Sequence, residues 1–463
     1  MAEDTVLVVI GANGDLAARL LLPALGELLA DQPDRRLHLV GVGSSASSDA
    51  KWRRTVRTAF ASADATEALR TSVLSTPYVR ADASTAAGMR ALLADLPEGR
   101  PVLYFAVPPQ VAASACRALR PRDLPPGTIL ALEKPFGSDE ESARDLNAVL
   151  GALLPEQQVF RVDHFLGRST VLNLLGARFA NRVIEPIWSA EHVAEISVRF
   201  DETLGLEGRA GYYDRAGALD DMIQSHLLQV LAILTMAAPA TLGDRDVRDA
   251  TAAALRATHV WEDNPVRFSR RARYTAGEAA GERMPSYVDE PGVDPSRETE
   301  TLAEATFEVR DARWAGVPIT LRSGKALGAA AMEVVARLRR VRHLPEGFTG
   351  PEEPDELRFG LGPDRLSLSI NVNGGHDPFA LQRATLSTDL GLGAQRAYVD
   401  VLGALMDGDP TLSVRGDAAE ECWRIVQPIR DAWRRGDVPL EEYPAGSEGP
   451  STWRTGEDAP SPA

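Results

Sequence analysis

Eight residues, Arg161 to Arg168 (RVDHFLGR), bring an acid, an imidazole, a glycine and two guanidinium groups together at the end of a strand-like apolar run. These are charge-bearing and proton-handling groups, and they crowd into one turn. A second imidazole, His226, lies in GALDDMIQSHLLQVLAIL, whose pattern is helical. The chain has only 7 histidines, so two in patterned, otherwise apolar surroundings stand out. On an α-helix Asp221, five residues before His226, is not squarely on the same stripe, although it lies within a turn and a half. A lone helical histidine is more often structural than a base, so the role of His226 depends on the company it keeps. A third stretch, VVIGANGDLA, ends an apolar run with Gly11, Ala12, Asn13 and Gly14, after which Asp15 and Leu16 open a helix and Ala17 takes a small-residue position. Glycines there let the backbone turn tightly and approach a pyrophosphate, whose charge suits free N–H groups and the positive end of a helix.

The elements around these residues change character along the chain. Thr5–Ile10, Leu37–Val42, Val102–Val107 and Ile129–Leu132 read as buried strands. Between and after them Asp15–Leu29, Thr85–Leu96, Val111–Leu119 and Asp139–Leu154 read as helices. Repeated strand–helix units predict a Rossmann-like, doubly wound parallel sheet over residues 1–160. Beyond it come helical patterns over Ser169–Ala180 and Ala216–Met236, with the alternating stretch VAEISVRFDE between them. The segments TETLAEATFEVR, PITLRSG, ARLRRVRH and RLSLSINVNG then read as antiparallel strands, and Gln395–Trp433 as helix-rich. Residues 161–440 are thus expected to form an α+β domain on a large, mainly antiparallel sheet, and the polar residues 441–463 a disordered tail.

Composition narrows the function. A chain of 463 residues with 44% hydrophobic content has material for two or more cores. No long charge-free apolar window occurs and the N-terminus opens acidic, so neither a membrane span nor a signal peptide is expected, and the compartment is read as cytoplasmic. The formal charge of −16 disfavours nucleic acid and anionic membrane as partners; an anionic substrate would need a locally basic site. Cys116 and Cys422 have no ligand-like spacing and are expected to be buried small hydrophobes.

Taken in order, GANGDLA, YFAVPP, EKPFG, RVDHFLG, NLLGARFANRVIEPIW, GLEGRAGYYDRAGALDDMIQSHLLQ, RWAGVPITLRSGK and DGDPTLSVRGDAAEECWRIVQPI resemble the glucose-6-phosphate dehydrogenase family over residues 5 to 435. The resemblance implies hydride transfer from C1 of a hexose 6-phosphate to NADP or NAD, giving a 6-phospho lactone. It implies His226 as the base that takes the C1 hydroxyl proton and Asp163 as the carboxylate that orients it. Lys134 would reach between sugar and cofactor, His164 and Arg168 would hold the substrate phosphate, and Glu202, Asp221 and Lys325 would bind sugar hydroxyls. The cofactor set would be Gly11, Asn13, Gly14, Asp15, Leu16, Ser44 and Lys134, with Tyr104 and Pro108 shaping its cleft. No metal is needed. Family members are homodimers or homotetramers joined through the large sheet, so a homo-oligomer is implied here too.

The chain departs from the family pattern at the site. Leu20 and Ala330 stand where cations are expected, Phe165 replaces a tyrosine, Arg168 a lysine and Asp220 an arginine, and Ser44 falls at the position of a 2′-phosphate arginine. Ser44 and Ser45 could bond either dinucleotide, while Lys51, Arg53 and Arg54 are near in sequence, so the residues leave NADP and NAD both open. Two other functions also stay open: a dehydrogenase for a modified or non-phosphorylated sugar, and a non-catalytic sugar-phosphate-binding regulator.

Overall fold

The computed structural model describes residues 4–68, 73, 75–206, 208, 210–375, 377–390 and 397–453. The chain divides into two compact units: residues 1–169, 238–252 and 394–423, and residues 170–237, 253–393 and 424–463.

The first unit is built on strands β1 (Thr5–Ile10), β2 (Leu37–Gly43), β3 (Tyr78–Arg80), β4 (Arg100–Phe105), β5 (Ile129–Glu133) and β6 (Val159–Val162). Their spatial order is β6-β5-β4-β1-β2-β3, all parallel, which is the 3-2-1-4-5-6 order of dinucleotide-binding sheets. The uninterrupted apolar runs of β1 and β4 follow from that position, since a central parallel strand is covered on both faces. The direction of strand addition reverses between β1 and β4, and ligands of such sheets bind beyond the strand ends at that point.

The second unit carries a ten-stranded sheet. Its strands are β7 (Val193–Asp201), β8 (Thr258–Val260), β9 (Ser269–Thr275), β12 (Leu302–Val309), β13 (Ile319–Gly324), β14 (Ala331–Leu338), β15 (Glu356–Leu361), β16 (Asp364–Asn373), β17 (Leu381–Asp389) and β19 (Leu440–Pro444); β10 (Gly277–Ala279) and β11 (Glu282–Met284) form a separate hairpin. The order is β17-β16-β15-β14-β7-β13-β12-β9-β19, with β8 alongside β12. The sheet is mainly antiparallel, but β7–β13 and β9–β19 pair in parallel. The expected strand ARLRRVRH contributes only its beginning, because β14 starts at Ala331 and ends at Leu338.

Two expectations about extent change. Residues 397–423 fold with the first unit: β18 (Ser413–Val414) adds antiparallel to β6, and helix Ala397–Asp407 puts Val399, Val401, Leu402, Leu405 and Met406 into the core shared with Leu22, Leu25 and Leu28. A single cut at residue 160 misses this return because it depends on pairing between distant segments. The expected disordered tail is also ordered in its first half. β19 gains backbone bonds from β9, Tyr443 is fully buried, and the Trp453 indole donates to Glu441 at 2.8 Å. Two aromatic anchors and a free strand edge outweigh the polar composition of that segment; residues 454–463 lie outside the described residues.

Both cysteines are buried, as expected, and burial pushes the Cys116 thiol up to about 12. Among the described residues no helix is long and apolar enough to cross a membrane.

Candidate active site

The glycine turn closes the first strand of the first unit. Gly11 has φ +97°, and a Cβ there would lie 2.1 Å from the Ala106 carbonyl oxygen, so only glycine lets β1 turn this close to the end of β4. The N–H groups of Gly11 and Ala12 donate to the Val42 carbonyl at 2.9 and 3.0 Å, and Gly14 donates back to Gly11 at 2.9 Å. Asp15 and Leu16 begin the helix, whose first bond runs from Ala18 to Gly14 at 3.2 Å. This places a tight turn and a helix N-terminus at the reversal point of the sheet, and the first-turn N–H groups of that helix are the donors that fit a pyrophosphate. Asn13 is tied into the turn, with its amide donating to Ser45 Oγ at 3.1 Å and to Tyr78 Oη at 2.7 Å.

The ends of β5 and β6 carry two of the expected catalytic residues. Lys134 follows β5, and Asp163 follows β6 at the start of a turn in which Leu166, Gly167 and Arg168 donate to the carbonyls of Asp163, His164 and Phe165. Asp163 is 2% exposed, and its Oδ1 accepts the Phe165 N–H at 2.9 Å. Burial raises its pKa, while His164, the Phe165 N–H, Lys134 and Arg168 pull it back down. His164 stacks on Tyr398 with centroids 5.4 Å apart, and the Arg168 guanidinium lies 4.4 Å over the Phe165 ring. Phe165, where the family pattern has tyrosine, therefore acts as a platform for a cation.

Tyr104 and Pro108 sit differently from the other cofactor candidates. Tyr104 is fully buried and its hydroxyl donates to Glu133, while Pro108 accepts from Val111 and Ala112 at the start of helix Pro109–Ala118. Glu133, not among the expected site residues, is half-buried, and desolvation pushes its carboxyl up to about 7 against the hydroxyls of Tyr104 and Tyr398 and the charge of Lys134. An acid closing the otherwise apolar run ILALE was the available signal.

In the second unit the parallel register of β7 and β13 pairs Asp201 with Gly324, so both chains leave the sheet side by side. Glu202 and Lys325 are the next residues of each, and Lys325 Nζ meets Glu202 Oε2 at 2.6 Å. Lys325 Nζ also lies 5.4 Å from the Tyr213 ring centroid, and its carbonyl accepts the Tyr443 hydroxyl at 2.6 Å.

His226 is 1% exposed, on a segment that packs against β13. The expected single helix over Ala216–Met236 is broken. Helix Ala210–Ala218 kinks at Gly217 (φ +66°), Leu219–Leu227 is a π-helix, and an α-helix resumes over Leu228–Thr235. The π register is visible where Leu228 N–H donates to the Ile223 carbonyl, five residues back. Such a widened turn brings residues five apart nearer to one stripe than an α-helix does, which changes the relation expected between Asp221 and His226. Asp221 accepts the Tyr212 hydroxyl at 3.1 Å and Asp220 pairs with Arg430 at 3.2 Å. Desolvation pushes Asp220 up to about 6, opposed mainly by Arg430. The kink has its own anchor: Glu300 accepts the Leu219 N–H at 2.9 Å, and a Cβ on Gly217 would lie 2.3 Å from the Glu300 carboxylate. Burial pushes Glu300 up to about 7.

Comparison with known proteins agrees with both units. The family descriptions "Glucose-6-phosphate dehydrogenase, NAD binding domain" and "Glucose-6-phosphate dehydrogenase, C-terminal domain" match residues 8–173 and 175–456. The chain is 36% identical to glucose-6-phosphate 1-dehydrogenase of Gluconobacter oxydans over 96% of its own length and 94% of the relative's. It is 37% identical to the enzyme of that name from Treponema pallidum, over 96% and 92%. The crystal structure of glucose-6-phosphate 1-dehydrogenase from Mycobacterium avium superposes with a TM-score of 0.84 at 33% identity, covering 98% of this chain and 96% of that one. With two matching units, a parallel sheet ending in Lys134 and Asp163 and a large sheet ending in Glu202 and Lys325, the chain belongs to the glucose-6-phosphate dehydrogenase family.

Proposed function

We propose that this protein oxidises C1 of glucose 6-phosphate to the 6-phospho lactone, with NADP as hydride acceptor. The observation that carries the reading is a buried imidazole, His226, on a π-helical segment in the same unit as the Glu202–Lys325 pair, in a chain of this family. A structure of glucose-6-phosphate dehydrogenase in complex with glucose 6-phosphate, 29% identical with a TM-score of 0.84 over 97% of this chain, supports the choice of substrate.

The residue chemistry follows from what each group can do. An alcohol cannot release hydride from its carbon until its O–H proton is being removed, and an imidazole with an ordinary pKa of about 6.5 is suited to remove it near neutral pH. His226 takes that proton, and Asp163 is the carboxylate we assign to hold the resulting imidazolium, the logic that governs an acid–histidine pair in hydrolases. Lys325 and Glu202 offer a donor and an acceptor to hydroxyls that can do both. Asp221 supplies a further acceptor, and His164 and Arg168 supply the positive charge and fork for the phosphate. The nicotinamide, when bound, receives the hydride; Gly11, Gly14, Asp15 and Leu16 would hold the pyrophosphate, and Lys134 would lie by sugar and cofactor. We further assign homo-oligomerisation to the large sheet, whose edge strand β17 and its neighbourhood expose Val372, Phe379 and Leu386.

A second substrate reading rests on Leu20, which is 46% exposed where the family pattern has a cation, and on Ala330. Losing two charge-assisted hydrogen bonds, each worth about 1.5–3 kcal/mol, would turn the enzyme toward a related sugar. Steady-state assays of glucose 6-phosphate and glucose, each with NADP and NAD, decide between them. Turnover of glucose 6-phosphate with a KM in the common enzyme range of about 1 μM to 1 mM supports the first reading; turnover only of glucose or another sugar overturns it.

A further inference from the structure

The end of β2 is where a dinucleotide-binding sheet sets its preference: a carboxylate there holds the ribose hydroxyls, whereas an arginine accommodates a 2′-phosphate. After Gly43 this chain runs Ser44-Ser45-Ala46-Ser47-Ser48, with no carboxylate before Asp49. Asp49 is turned elsewhere, its Oδ1 accepting the Tyr78 N–H at 2.9 Å and its Oδ2 accepting from Arg53 at 3.4 Å. Arg53 is occupied as well, donating to the carbonyls of Thr76 at 2.9 Å and Ser75 at 3.1 Å. Asp49 and Arg53 are therefore both engaged within the protein.

The neighbouring strand supplies a cation instead. Arg80, the last residue of β3, is the register partner of Gly43, and its Nε donates to the Ser44 carbonyl at 3.2 Å. It is exposed, and among the described residues no carboxylate lies within ion-pair distance of it. The loop it touches is fixed: the Tyr78 hydroxyl donates to the Ser45 carbonyl at 2.9 Å, Asn13 donates to Ser45 Oγ, and Ala81 N–H donates to the Gly43 carbonyl at 3.1 Å. Nε holds the Ser44 carbonyl, so the exposed guanidinium lies at the end of β2, and its planar donor fork is suited to a phosphate.

We propose that Arg80, with Ser44, receives the 2′-phosphate of NADP, so that this chain selects NADP through its third strand. The inference rests on the reading of the first unit as a nicotinamide dinucleotide site. Titration calorimetry of the full-length protein with adenosine 2′,5′-bisphosphate and with adenosine 5′-monophosphate tests it without any sugar turnover. Arg80→Ala should weaken the bisphosphate by roughly 10- to 100-fold and leave the monophosphate within about twofold, and Arg80→Lys should recover part of the loss. The NADP-to-NAD ratio of kcat/KM should fall by the same factor. Arg80→Ala with unaltered bisphosphate affinity, or with equal losses for both probes, overturns the role of Arg80 while leaving the dinucleotide site standing. A wild-type protein that binds neither probe overturns the dinucleotide reading itself.

Discussion

Parallel strands finish side by side in both units, and in each case a lysine and a carboxylate follow, yet the two ends hold charge in different ways. In the second unit Lys325 and Glu202 are joined directly at 2.6 Å and remain 17% and 23% exposed. In the first, Asp163 is nearly inaccessible, fixed by a backbone N–H, and its pKa is raised by burial despite the cations of Lys134 and Arg168 nearby. An ion pair that solvent still reaches can open and exchange partners, which suits neutral hydroxyls that donate and accept. A buried carboxylate held by the backbone cannot move, and that suits steadying a charge that develops elsewhere. Under the proposed function, the difference suits one end to recognition and the other to charge stabilisation.

The largest effect should come from neither end but from the proposed proton acceptor. His226→Ala is expected to lower kcat by about 10²- to 10⁴-fold with a modest change in KM, measured in steady state across pH 6 to 9. A loss below tenfold would mean that another group takes the proton.

The next effect separates the two ends. Asp163→Asn keeps an acceptor for the Phe165 N–H and removes only the charge, so kcat should fall by roughly 10²-fold and KM should move little. Lys325→Met breaks the Glu202 pair, so KM for the sugar phosphate should rise by roughly 10- to 100-fold with a smaller change in kcat. The reverse pattern, KM for Asp163 and kcat for Lys325, would exchange the roles.

Much of the first unit was legible because parallel strands buried on both faces leave continuous apolar runs, and β1 was bounded correctly as Thr5–Ile10. Its short third strand was not read. Tyr78–Arg80 is three residues long, and its value lies in the register that brings Arg80 to Gly43. The segment around His226 was legible as helical but not as a π-helix, because the widened turn depends on the break at Gly217 and on Glu300, which lies 81 residues beyond Leu219. The Glu202–Lys325 pair was named residue by residue through family resemblance, but its contact follows from the parallel pairing of β7 and β13 inside a sheet read as antiparallel. The order of β19 was missed because a polar strand is stabilised by the edge it joins, and that edge is 169 residues away at the pairing of Tyr443 with Tyr274, where local composition carries no trace.

The smallest expected effect compares two desolvated glutamates, the half-buried Glu133 of the first unit and the buried Glu300 of the second. The carboxyls of Glu133 and Glu300 are both pushed from 4.5 up to about 7 by desolvation. Between those values the folded chain holds more protons than the unfolded one, so each carboxyl's contribution is complete below about 4.5 and is lost as pH rises through about 7. Glu300→Gln keeps a carbonyl oxygen for the Leu219 N–H and removes the charge. Denaturant unfolding should then show a gain on the order of 2 kcal/mol at pH 8, no gain at pH 4.5, and a flatter profile between. Glu133→Gln should flatten the profile too, but its gain at pH 8 should be smaller. One amide oxygen replaces two carboxylate oxygens facing the hydroxyls of Tyr104 and Tyr398, and a phenol left without its acceptor offsets part of the relief. Equal gains from the two substitutions would mean that the phenols are solvated in the folded chain, and that the two acids differ only in position.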